Sequence, residues 1–83
     1  MGEKEFVSIC KKEIIDYIRF RTGTLITEDD VYVVWLCKVL QNNKALLSTT
    51  LPDGMYYEIT HNGDKDEMYV DAYRKVDNCV VHI

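Results

Sequence analysis

The apolar residues of this chain change their spacing once, and that change restricts the fold to a helix followed by strands. From Glu3 to Thr22 they recur at helical intervals, so that Phe6, Ile9, Cys10, Ile14, Tyr17 and Ile18 fall on one stripe. Glu3 and Glu5 open the segment and Arg19 and Arg21 close it, the charge order a helix dipole prefers, and Gly23 follows as a natural stop. Beyond Gly23 the helical spacing is lost. The run Val31-Tyr32-Val33-Val34-Trp35-Leu36-Cys37-Lys38-Val39-Leu40 is β-branched or aromatic at most positions and suits a strand with apolar groups on both faces. Thr27 to Asp30, just before it, has the composition of a helix cap and leaves a second helix as the competing reading of this region.

Three turn signals divide the rest. Asn42-Asn43 tolerates positive φ, Pro52-Asp53-Gly54 presets one turn residue and frees another, and Asn62-Gly63 is backed by Asp64-Lys65-Asp66. The predicted strands are therefore 31–40, 44–50, 55–61 and 67–76, and Asp77-Asn78 leaves Cys79 to Ile83 as a short fifth strand or a tail. The expectation is one α+β domain over residues 1–83, with an N-terminal helix at about 4–22 packed on a four-stranded, or five-stranded, antiparallel meander within 31–83. Eighty-three residues leave room for one core, and 47% apolar and aromatic residues are enough to build it.

Hairpin pairing of these strands separates two faces. Val33, Trp35, Cys37, Val39, Leu46, Met55, Tyr57, Ile59, Met68, Val70 and Ala72 are expected under the helix, with Trp35, Ile59 and Val70 nearly inaccessible against Ile14 and Ile18. The other face is expected to carry Tyr32, Val34, Leu36, Leu47, Tyr56, Tyr69 and Tyr73, mixed with Leu40, Lys38, Thr49, Glu58, Thr60, Asp71 and Lys75. Six tyrosines are about twice ordinary usage, and tyrosine joins a large apolar surface to a polar tip, as interfaces require. Those seven residues are the candidate interaction face, for a protein partner or for a second copy in a homo-oligomer.

The remaining signals exclude more than they propose. A charge of −4, from 14 acids and 10 bases with no basic stripe, argues against nucleic-acid and anionic-membrane partners. The longest near-apolar run, Val31 to Cys37, is too short to span a bilayer. Cys10, Cys37 and Cys79 are odd in number and widely spaced, which reads as reduced thiols in a cytoplasmic protein. Asn62, Asp64 and Asp66 alternate like the first ligands of a calcium loop, but Glu67 stands where glycine is needed and Tyr73 where glutamate is needed. His61 and His82 lack zinc-ligand spacing, and no nucleophile elbow surrounds Ser48 or Cys37. The carboxylate pairs Asp29-Asp30 and Glu58 with Asp71 read as the start of an element and as a solvated sheet face. No catalytic residue, metal site or cofactor is expected, and the chain is read as a non-enzyme. One polar loop, Gln41-Asn42-Asn43-Lys44, offers amide and ammonium donors to a nucleotide or a peptide backbone.

The stretch from Val31 to Tyr73 contains VWLCKVLQNNKALLSTTLPDGMYYE and then NGDKDEMYVDAY. In these segments the chain resembles a family of small uncharacterised proteins encoded by phages and prophages of Gram-positive bacteria. The resemblance implies an intracellular protein made during infection or from a prophage, and it supplies no activity or site residue. The function expected is a protein-interaction module that docks on a host or phage protein and alters its activity. The alternative is a small-ligand or nucleotide-binding domain, with its site between helix and sheet or at the Gln41–Lys44 turn.

Overall fold

The computed structural model describes residues 1–83. Helix α1 (Glu3–Thr22) is followed by a single 3-10 turn (Glu28–Asp30) and by strands β1 (Val31–Val39), β2 (Asn42–Thr49), β3 (Met55–Asn62) and β4 (Glu67–Arg74). The strands form one antiparallel sheet in the order β1-β2-β3-β4. This is the α+β meander the sequence predicts. Cys79 to Ile83 is a tail and adds no fifth strand.

Local chemistry sets the element ends. Gly23 takes φ 76°, which a residue with a Cβ adopts only at a cost, and its N–H closes α1 on the Arg19 carbonyl at 2.9 Å. Thr27 to Asp30 does cap a helix, but one of a single turn. Thr27 N–H donates to Asp30 Oδ2 at 2.9 Å, and Asp30 Oδ1 accepts from the Thr50 hydroxyl at 3.1 Å. The Thr27 N–H bond, then the Thr50 hydroxyl, hold the Asp30 carboxyl below its ordinary pKa. One side chain thus clips the start of β1 to the end of β2.

The core lies on one side of the sheet. Phe6, Cys10, Ile14 and Ile18, spaced four apart, lie against Val31, Ala45, Leu47, Tyr57 and Ile59, all buried. Tyr17 meets Tyr57 edge-on, with centroids 5.7 Å apart, and Arg21 lies 5.5 Å over the Tyr17 ring. The molecule measures 41 × 38 × 19 Å. Nineteen ångströms is about one helix on one sheet, so no third layer covers the far side.

The register corrects the predicted faces. Val33 pairs with Leu47 and Trp35 with Leu46, so Val34 is an extra residue, a β-bulge in β1. The bulge shifts the alternation by one position for the rest of the strand. Trp35, Cys37 and Val39 turn away from the helix, while Leu36 turns toward it and packs against the core. Trp35 is 41% exposed and is not a core residue, whereas Ile59 is fully buried and Val70 packs at the core margin. In β2 the parity is also reversed from expectation, because Leu47, paired with Val33 and Tyr57, is the inward residue. Thr49, paired with Val31, is inward too, and Leu46 faces out.

The first turn is displaced as well. It falls at Leu40-Gln41, not at Asn42-Asn43, and Leu40 takes φ 56°, at a cost of about 1–2 kcal/mol. The two asparagines are held elsewhere. Asn42 Oδ1 accepts the Gly63 N–H of the third turn at 3.2 Å, and Asn43 is buried opposite His61. The two hairpin tips are pressed together here, for a Cβ on Gly63 would lie 2.3 Å from the Gln41 carbonyl oxygen.

Three outcomes follow for urea denaturation monitored by circular dichroism. Ile59→Ala should cost about 3 kcal/mol or more, comparable with the stability of so small a domain, whereas Trp35→Ala should cost about 1 kcal/mol. Gly63→Ala should cost about 1–3 kcal/mol by steric conflict alone, because its φ is not positive. An unshifted midpoint for Gly63→Ala would show that the tips are not in contact.

Candidate functional site

The side of the sheet away from the helix is uncovered, and the pairing register lays it out as rows. The central row is Trp35, Leu46, Glu58 and Asp71, one from each strand. Tyr32, Ser48, Tyr56 and Tyr73 form the row on one side, and Cys37, Lys44, Thr60 and Tyr69 the row on the other. Val39 and Asn42 continue toward the first turn, and Glu67 lies two residues before Tyr69 on β4. Strand pleating puts these side chains on one face because they alternate with the buried set.

Of the seven residues expected on this face, Tyr32, Tyr56, Tyr69 and Tyr73 are there together. Leu36 and Leu47 are not, since both pack on the helix side, and Val34 sits exposed at the bulge without a cross-strand partner. Trp35, Val39 and Leu46 take their place, and sequence alternation could not find them because β1 and β2 are apolar at both parities. Tyr32, Trp35, Val39, Tyr69 and Tyr73 are all exposed. Ser48 is nonetheless buried, set between Tyr32 and Tyr56, and its hydroxyl donates to the Met55 carbonyl at 2.8 Å.

Two contacts join polar side chains of the face. Lys44 Nζ lies 3.6 Å from Glu58 Oε1. The Tyr69 hydroxyl donates to the Glu67 carboxylate, and that bond raises the phenol above its ordinary pKa. A shallow groove of about 300 Å³ runs between Cys37, Val39, Asn42, Lys44, Thr60, Asn62 and Tyr69. The C-terminal residues do not lie over this face, since Val76, Val80, Val81 and Ile83 are themselves exposed.

The predicted polar loop does not exist as a unit. Gln41 is in the turn, Asn42 and Lys44 face the open side, and Asn43 points inward. A cleft of about 560 Å³ does lie at the hairpin tips, lined by Met1, Glu5, Lys38, Leu40, Gln41, His61, Gly63 and Asp66. His61, 7% exposed, places Nε2 3.2 Å from Asp66 Oδ1 and leaves Nδ1 buried without a hydrogen-bond partner. No serine or cysteine lines this cleft, and its one side-chain amine is that of Lys38. Nowhere do three metal-ligating side chains gather, and Asn62 instead closes its own turn by accepting from the Asp64 and Lys65 N–H groups. No helix is long and apolar enough to cross a membrane.

The three cysteines are unbridged and occupy different surroundings. Cys10 is enclosed in the core, and burial pushes its thiol up to about 12, whereas Cys37 stands on the open face and Cys79 in the tail. Ellman's reagent should therefore titrate Cys37 and Cys79 in the folded protein and Cys10 only in urea. A third fast thiol in the native state would place Cys10 outside the core.

Comparison with known proteins gives no curated relative and no solved structure that matches. A family model does match, over residues 7–83, which includes most of α1 and the whole sheet. The chain belongs to DUF6275, a family of unknown function.

Proposed function

We propose that this domain is a non-enzymatic interaction module whose working surface is the open sheet face. The observation that carries this reading is the face itself. Tyr32, Trp35, Val39, Tyr69 and Tyr73 stand exposed on one side of a slab 19 Å thick, and the chain has no further layer to cover them. Tyr32, Trp35 and Val39 line the β1 edge and Tyr69 and Tyr73 the β4 edge, with Leu46 and Tyr56 between them, and burial of such surface drives association at about 25 cal/mol per Å² before the costs of binding. The resemblance carried by Val34–Glu58 and Asn62–Tyr73 supports a phage or prophage protein that acts in the cytoplasm of a bacterial cell on a host or phage protein. The small-ligand reading loses its loop, whose four residues diverge, and keeps its other place, where open clefts of about 500 and 480 Å³ lie between helix and sheet, one lined by Val7, Lys11, Val33 and Leu36 and the other by Tyr17, Arg21, Met55 and Tyr57.

Photo-crosslinking in expressing bacterial cells tests the reading. Benzoylphenylalanine placed at Trp35 or Tyr69 should give discrete protein adducts, and the same group at Phe20, more exposed than either but on the helix, should not. The mass of the adduct separates a foreign partner from a second copy. Equal labelling from Phe20, or none from the sheet positions, would refute an interaction role for this face.

A further inference from the structure

Charge discriminates between the two kinds of occupant open to this face. The register sets Glu58 directly opposite Asp71, and like charges so placed repel. Lys44 neutralises Glu58, but no ion pair reaches Asp71. With Glu67 beside Tyr69 and Lys75 two residues beyond Tyr73, the face holds three carboxylates against two ammonium groups. A second copy stacked here would confine six carboxylates with four ammonium groups, an excess of two negative charges. A two-fold axis along the strands and through the middle of the sheet would lay Asp71 over Trp35 of the other copy, and one across the strands along the Trp35–Asp71 row would lay Asp71 over Asp71. Either arrangement buries uncompensated negative charge, which opposes association.

We propose that the open face docks a foreign protein through a segment carrying arginine or lysine between apolar side chains. The cation sits at Asp71 and Glu58, and the apolar neighbours lie on Trp35, Tyr56 and Tyr73. This rests on the reading of the face as an interaction surface and names the partner's chemistry. Two features beyond charge favour it. Tyr56 and Tyr73 flank the carboxylate pair on one side and Tyr69 on the other, so a guanidinium that reaches the acids also meets aromatic rings. The groove between Lys44, Thr60 and Tyr69 opens beside the same pair and accepts a neighbouring apolar side chain.

The test is selection of yeast-displayed random peptides on the immobilised full chain, with each binder rescored on Trp35→Glu. Binders that need Trp35 should be enriched in arginine and lysine. Their affinity should fall about tenfold on Asp71→Asn and on Glu58→Gln, and should weaken as sodium chloride is raised. Both substitutions keep side-chain shape, and circular dichroism checks that the variants fold. Trp35-dependent binders without basic enrichment, or indifferent to Asp71→Asn, would overturn the partner's chemistry and leave the interaction face standing. An absence of Trp35-dependent binders would overturn both. A wild-type dimer in sedimentation that Trp35→Glu dissociates would also overturn it, in favour of a second copy.

Discussion

A single strip of contact supports this fold: four helix residues, Phe6, Cys10, Ile14 and Ile18, laid across Ala45, Leu47, Tyr57 and Ile59. Ala45 is the small residue of this strip and is fully buried, with Leu47, Tyr57 and Ile59 buried beside it. Twenty helical residues span about 30 Å, enough to seal one face of four strands and no more. The open face is thus a direct result of how the core is built. Every apolar residue that strands β1 and β2 carry in excess of the helix's reach must face outward, and Trp35, Val39 and Leu46 do.

That geometry also explains which parts of the structure the sequence revealed. Helix α1 was legible because its apolar stripe, its charge order and Gly23 all agree. Strands β3 and β4 alternate well enough that Tyr56, Tyr69 and Tyr73 could be placed on the outer face. Strands β1 and β2 could not be phased, because Val33-Val34-Trp35-Leu36 and Leu46-Leu47 are apolar at both parities and satisfy either assignment. The register was decided instead by the bulge at Val34, which has no glycine or other local marker. The first turn was misplaced for a related reason. Asn42 and Asn43 have strong turn propensity, but contacts to Gly63 and a place opposite His61 outweigh it, and Leu40 accepts a left-handed backbone in their stead.

Of the candidate site, the tyrosines were legible and the charge arrangement only partly so. Glu58 and Asp71 are thirteen positions apart in the chain, and their opposition exists only once β3 and β4 are in register. Lys44 compensates one of them from a third strand. Such an arrangement has no local motif, so a reading of neighbouring residues sees isolated charges where the sheet assembles a carboxylate pair within aromatic surroundings.

The bulge at Val34 has an implication for chain-length variation. With that one residue left out, β1 would alternate without interruption: Val31, Val33, Leu36 and Lys38 inward, Tyr32, Trp35, Cys37 and Val39 outward. A relative one residue shorter at this place would present the same two faces. A loss between Trp35 and Val39 would instead exchange inside for outside over the residues beyond it, unless a compensating bulge formed. In an alignment, then, a gap at Val34 is structurally silent, whereas the same gap three residues later marks a different surface.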